Sequence, residues 1–257
     1  MRSCLVRSYM HTNFNWYSLP YSKPKQIYNI IKRKTSKTMN KKYEFTDETT
    51  KVDGHTLHRI RSVRCFSDVK AGDLGGWVEK EHNLSHEDHA WVYDEGKVYG
   101  NARVIDDAIV WGCAKVYDNA LIEDRARVYN HAQVYNDASV SSNAMVYGNA
   151  MVYGNAVVYG NALVCGSANI SGGTEITGDA EVWCHASYIT FKNFWSSGRY
   201  FTWTRSNNMW RVGCFYGTGE ELIKKAYKDS ERSGREYERV VRYVESILED
   251  EKKGGEG

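Results

Sequence analysis

The chain has 257 residues and a net charge of +2, but that charge is divided: residues 1–43 hold ten Lys or Arg and no acid, while the rest holds 24 basic against 32 acidic residues. The bulk is mildly acidic, which argues against a general polyanion or nucleic-acid partner for the folded part. No run approaches the roughly 20 apolar residues of a membrane span, and six cysteines without a CxxC pair or metal-ligand spacing suit a reducing, cytoplasmic setting.

Residues 1–42 form a basic leader without the apolar stretch of a secretory signal. It reads as a disordered arm or as an upstream extension, because Met39 in "TMNKKYEF" has the look of a start; residues 1–38 are then expected to add nothing to the fold. Residues 43–83 read as a β cap. Asp53-Gly54 is a hairpin signal, and "DLGGWVEKEHNLS" is placed to cover the open end of the repeat array that starts at Val92.

From Val92 to Val182 every sixth residue is Val or Ile, sixteen times without a break, and four residues after each comes Ala in fourteen cases, Gly96 and Thr174 being the exceptions. Six matches neither a helical turn nor simple alternation. Each unit reads as a short strand, Ala-x-Val-Tyr, with Ala and Val on one face, followed by two turn formers. Strand and corner in alternation make a solenoid that buries a continuous Val/Ala core. The residue after each Val shows how many sides the coil has. Taken every eighteen residues, one column is Tyr93, Trp111, Tyr129, Tyr147, Cys165, Trp183; a second is Tyr99, Tyr117, Tyr135, Tyr153, Ser171; the third is Ile105, Glu123, Ser141, Tyr159, Thr177. Aromatics fill two columns and mostly avoid the third, as three hexads per coil require.

This motif resembles the hexapeptide repeat, [LIV]-[GAED]-x-x-[STAV]-x, of left-handed β-helix proteins. The resemblance covers residues 92–187 and implies the fold class: an all-β solenoid, a left-handed parallel β-helix over 84–187 with an N-terminal cap and a small C-terminal α+β domain. It also implies acyl-CoA-dependent acyltransferase as one possible activity, and homotrimer formation through the prism sides. The flanks "GDLGGWVEKEHNLS" and "SSGRYFTWTRSNNMWRVGCFYGTGEEL" are similar to uncharacterised hexapeptide proteins of bacteria and their phages, which carry no settled activity.

After Ala186 the hexads stop, and ten of the thirty residues 188–217 are aromatic. A three-stranded meander is expected, turning at Asn207-Asn208, with Phe201, Trp203, Trp210, Val212 and Cys214 on one face and Tyr200, Thr202, Thr204, Arg211 and Phe215 on the other. Thr218-x-x-Glu221 and Ser233-x-x-Glu236 read as capping boxes of two helices. The second carries an apolar stripe from Tyr237 to Leu248 that suits the Trp203 face. The domain ends at 250, and 251–257 reads as a disordered tail.

Acyltransferases of the resembling family usually interrupt the coils with a loop bearing a catalytic His, a general base; residues 92–187 contain no insertion. The internal candidates are His131 and His185, and His131 lies one coil from Cys113 in one corner column, where thiol and imidazole could pair. The bland alternative is that both fill a corner where Asn is the rule. "GTGEEL" lacks the phosphate-loop Lys and is better explained by the capping box. Arg211 with Tyr200 and Phe215 is the candidate ligand platform, which would make the C-terminal domain a nucleotide-binding module. No cofactor or metal is expected. The side carrying Trp91, Tyr93, Ile109, Trp111, Tyr129, Met145, Tyr147, Leu163 and Trp183 is apolar along nearly its whole length. The expected function is therefore a non-catalytic scaffold or binding protein that self-associates through this face, or covers it with its C-terminal domain. Its ligand or protein partner is unknown.

Overall fold

In the computed structural model, residues 41–195 and 197–254 are described; residues 1–40 of the leader, with the start at Met39, and the last three residues lie outside them, whereas Lys42, expected in the leader, is a buried residue of the N-terminal cap. The hexads form sixteen two-residue strands, from Trp91–Val92 to Glu181–Val182, one every six residues. Strands eighteen residues apart pair in parallel and in register, for example Arg127 with Ile109 and Met145, giving three sheets, one per prism side. Every Val or Ile of the hexad is fully buried, as is nearly every Ala. At about 1.5–3 kcal/mol each, these Val and Ile side chains supply the main stabilisation. The first corner residue takes a positive φ in fifteen of the sixteen hexads, from Asp94 to Gly178, which is why Gly, Asp and Asn recur there.

The ladder has one polarity. The amide before each Val donates to the Ala carbonyl seventeen residues later (Ile109 N to Ala126 O, 3.0 Å), and the amide after it donates to the next coil's Val (Trp111 N to Val128 O, 3.0 Å). The solenoid therefore ends in bare carbonyls at its N-terminal end and bare N–H groups at its C-terminal end.

The N-terminal cap supplies donors. A hairpin of β1 (Tyr43–Val52) and β2 (His55–Ser62) turns at Asp53 (φ 51°) and Gly54 (φ 85°), and β2 pairs antiparallel with β3 (Leu74–Val78). β3 then pairs in parallel with Lys97–Val98, and Leu84 bridges to Val104. The segment from β3 to Ala90 is thus a further coil, starting before the expected boundary at 84. Val78 and Leu84 keep the six-residue step, and two extra residues before Val92 hide it. This coil's own carbonyls meet side chains that donate. Lys42 Nζ reaches Ala90 O (2.7 Å) and Glu87 O (3.1 Å), and Tyr43 Oη reaches Leu84 O (3.1 Å). Asn83 Nδ2 reaches Ala102 O (2.7 Å).

The C-terminal cap supplies acceptors. Thr202 Oγ1 accepts from Glu175 N (3.3 Å), Ser206 Oγ from Glu181 N (2.7 Å), and Ser187 Oγ from Trp183 N (3.2 Å). The meander has four strands rather than three: Tyr188–Lys192, Tyr200–Thr204, Met209–Val212 and Phe215–Gly217. Gly213 (φ 57°) permits a tight reversal that pairs Val212 with Phe215. Cys214 therefore sits exposed at a turn instead of in the core, and Phe215 joins the core face instead of the Arg211 face. That core is Phe201, Trp203, Trp210 and Val212 against Leu222, Ile223, Val241 and Val244 of two helices, α1 (Gly219–Asp229) and α2 (Glu231–Gly254). Thr218 and Glu221 form the expected capping box. Ser233 does not start α2, which begins at Glu231; its amide donates to Ser230 Oγ (3.1 Å). α2 also runs past 250, where Glu251 pairs with Arg205 (2.7 Å).

This packing has two measurable outcomes. Ala150 is fully buried and its neighbour Met151 half-exposed. Ala150→Leu should lose about 1–3 kcal/mol by overpacking, and Met151→Leu less than about 0.5 kcal/mol, as read from urea melts; equal stabilities would contradict the inward assignment.

The second concerns Lys42, which is fully buried. Burial, aided by the Arg64 charge, pushes its ammonium down from the ordinary 10.5 to about 8. A lowered folded value gives a stability contribution that is complete above 10.5 and lost as pH falls through 8. Relative to Lys42→Met, the wild-type melting temperature should climb between pH 8 and 10; parallel pH profiles would refute it.

Candidate functional site

The in-register sheets bring every eighteenth outward side chain into one column. On the side built from Trp91–Val92 onward, Trp111 stacks on Tyr129 at 4.1 Å and 3°, and Tyr129 on Tyr147 at 4.8 Å and 4°. On the next side Tyr99, Tyr117, Tyr135 and Tyr153 stack at 4.9–5.1 Å, all within 4° of parallel. These distances repeat the strand spacing of about 4.8 Å. Rings stacked in this way show solvent their edges and hide their faces, so the interior of a ladder offers no surface on which a base or sugar could stack.

The first side is half-exposed at Ile109, Trp111, Tyr129, Met145, Tyr147 and Leu163, and Trp183 at its far end is 47% exposed. Trp91 departs from expectation. It is buried beneath the cap, with Tyr43 and Phe66 rings at 6.2 and 5.3 Å. Tyr93 is half-buried and donates to Asp68 Oδ1 at 2.7 Å. The available face therefore begins at Ile109. The C-terminal helices pack on the meander, and their apolar residues are used there.

Cys113 and His131 occupy exposed corner positions, as the spacing indicated. Their amides serve the ladder, donating to Asn130 O (2.7 Å) and Gly148 O (2.9 Å), and no hydrogen bond joins thiol to imidazole among the described residues. No group of three or more potential metal ligands occurs among the described residues either.

The ligand platform is taken apart. Phe215 belongs to the helix side of the meander, while Tyr200 and Arg211 face the last coil. Tyr200 lies over Gly173, where an added Cβ would fall 2.5 Å from the ring. Arg211 Nε pairs with Glu175 Oε2 at 2.7 Å, and its guanidinium lies 5.6 Å from the Tyr159 ring centre. These side chains fasten the cap to the solenoid. The residues that sequence reasoning missed are carboxylates. Asp68 enters through the cap, and Asp94 was read only as a corner residue.

The tyrosine ladders carry a pH dependence. Burial, with Tyr135 and Asp118 adjacent, pushes the Tyr117 hydroxyl up to about 12; Tyr99, buried and bonded to Asp53 (2.9 Å), lies above that. A raised folded value gives stability that is complete below 10 and lost as pH rises through the folded value. Stability should fall between pH 10 and 12, and Tyr99→Phe should flatten that fall in denaturant melts at fixed pH; an unchanged slope would remove the ladder from the explanation.

Comparison with known proteins agrees with this geometry. Residues 144–160 match the family described as the YdcK beta solenoid repeat. The chain is also similar to the "Uncharacterized acetyltransferase YdcK" of Escherichia coli (strain K12), 38% identical over 42 residues, which cover 16% of this chain and 13% of that protein. With unbroken hexads, coils paired in parallel on three sides and a cap at each end, the chain folds as a parallel β-solenoid built from six-residue repeats.

Proposed function

We propose that this chain is a non-catalytic scaffold or binding protein that self-associates through the prism side bearing Trp111, Tyr129 and Tyr147. The observation that carries this reading is the half-exposed aromatic ladder, flanked by Ile109, Met145 and Leu163 and continued by Trp183. An apolar strip of this length, broken only by Arg127 between Ile109 and Met145, is unusual on a lone soluble surface. The neighbouring side carries Lys97 and Lys115 beside its rings, and the third carries Arg103, Glu123 and Glu175. A second copy is the favoured occupant, and closure about a three-fold axis is the arrangement that the hexapeptide resemblance implies. Free thiols at Cys65, Cys113, Cys165, Cys184 and Cys214 suit a reducing compartment.

Trp111→Arg with Tyr147→Arg removes two aromatic anchors and places charge on the face. Such anchors cost about 2 kcal/mol or more each when lost, so self-association should weaken by at least about 100-fold, with the core melt unchanged. Sedimentation velocity of wild type and variant reads this directly. A monomeric wild type would overturn the interface. The relative's printed name makes acyl transfer the rival reading. Saturable acetyl-CoA turnover that His131→Ala abolishes would replace the scaffold by an enzyme.

A further inference from the structure

One rung of the first ladder is missing. Strand register is the same at each step of this side, Trp91 over Ile109 and Ile109 over Arg127, so the backbone places Tyr93 above Trp111 as it places Trp111 above Tyr129. Yet Tyr93 is not among the rings stacked on Trp111. It meets Trp91 edge-on at 6.5 Å and 83°, drawn aside by its 2.7 Å hydrogen bond to Asp68. A cavity of about 300 Å³ lies where the rung would be, lined by Asp68, Tyr93, Asp94, Ile109, Trp111 and Arg127. The N-terminal end of the ladder is thus the place where an indole can show a face as well as an edge.

The cavity carries two carboxylates. Asp68 accepts from Tyr93 Oη, and Asp94 Oδ2 accepts from Gly112 N at 3.4 Å. Neither takes part in an ion pair among the described residues, and Arg127 is joined to neither. The Tyr93 hydrogen bond holds the Asp68 carboxyl below its usual range, so it is ionised at neutral pH. Asp94 is held in a left-handed corner (φ 52°) by the coil, which fixes its direction. With Arg127 counted, the lining is net negative by one charge.

We propose that this gap is a binding site for a guanidinium group, which replaces the missing rung on Trp111 and meets the carboxylates of Asp68 and Asp94. A guanidinium is planar, stacks on aromatic faces and forks to carboxylates, whereas a neutral ring would leave both carboxylates without a cationic partner. Arg127 disfavours a bare dication and suits a ligand with an acidic or carbonyl group beyond its guanidinium. The chemistry fits either a small guanidine or the arginine side chain of a peptide. The site shares Trp111 with the self-association face but does not require that face to be occupied, since it is built by the cap and by the coils carrying Asp94 and Trp111.

Calorimetric titration with 4-guanidinobutyrate and with acetyl-Gly-Arg-Gly amide distinguishes the two sources, and benzamidine against neutral benzamide isolates the charge. Each ligand is titrated into wild type and into Tyr147→Arg, two rungs away, with sedimentation recorded on the same samples. Saturable binding of at least one guanidine is expected, with benzamidine at least ten-fold tighter than benzamide. Asp68→Asn and Asp94→Asn should each weaken it about ten-fold, and Trp111→Leu should abolish it. Asp68 lies in the cap and is exposed, so its variant keeps the test valid if the Trp111 variant misfolds. No saturation in either background, equal binding of benzamide, or indifference to Asp68→Asn would overturn the site. Loss of self-association alone would overturn the earlier reading and leave this one standing.

Discussion

The structure depends on the single direction of its hydrogen bonds. Every ladder amide points to the later coil and every ladder carbonyl to the earlier one, so the stack cannot satisfy its own ends. An unpaired buried backbone group costs roughly 1–3 kcal/mol, and each end exposes several. The caps answer with opposite chemistry. The N-terminal cap offers Lys42, Tyr43 and the Asn83 amide, groups that donate. The C-terminal cap offers the hydroxyl oxygens of Thr202, Ser206 and Ser187 as acceptors. Lys42 is the extreme case. Its ammonium has three protons and no lone pair, and it is buried because two carbonyls need a donor there. The Lys42 ammonium and the Asn83 NH2 only donate and could not serve the C-terminal end, whereas the hydroxyls there can act in either sense.

The corners obey a second constraint, and they too are linked along the axis. A left-handed residue is required once per hexad, and Asp, Asn, Ser or Gly provides it. The polar side chains then bond to the same position one coil on. Asp106 Oδ2 accepts from Asp124 N (3.1 Å), and Asp124 Oδ2 from Ser142 N (2.9 Å). Asn101, Asn119 and Asp137 form a chain of side-chain bonds at 3.1 and 2.9 Å. A corner choice made for backbone conformation becomes a longitudinal tie. Mutating one rung should therefore disturb its neighbours more than distance along the chain suggests.

Much of this was legible because period is a property of sequence itself. Sixteen Val or Ile at a fixed step located the core, the corners and the three sides without any contact being known. What the sequence hid were places where the step slips or the partner is distant. Val78 and Leu84 continue the hexad, but their coil is separated from Val92 by two additional residues. Trp91 occupies an outward position by phase and is buried because Phe66 and Tyr43, 25 and 48 residues earlier, lie on it. Phase determines which way a side chain points, and only tertiary packing determines whether water is there. Phe215 changed faces because Gly213 admits a reversal that simple alternation from Val212 does not foresee. Of the site residues, the ladder was predictable from eighteen-residue spacing. The Asp68 contribution was not, because nothing in the cap's sequence indicates which coil it touches.

Packing along the columns also governs where recognition can occur on a ladder. Stacking satisfies the faces of Trp111, Tyr129 and Tyr147 against one another, and leaves a band of ring edges and aliphatic ends that suits another apolar surface. A ladder interior thus favours large, flat partners such as another prism side, and it discriminates poorly among them. Specific small-ligand chemistry needs an exposed face and an adjacent charge, and these coincide only where a column ends. On the second side the N-terminal end is closed, because Tyr99 is 2% exposed and bonded to Asp53. On the first side the corresponding ring has turned toward Asp68 and left the next indole open. Both end tyrosines bond a cap carboxylate, and the difference between the sides is that Tyr99 keeps its stack on Tyr117 while Tyr93 turns away from Trp111. It separates a purely structural ladder from one with a site at its end.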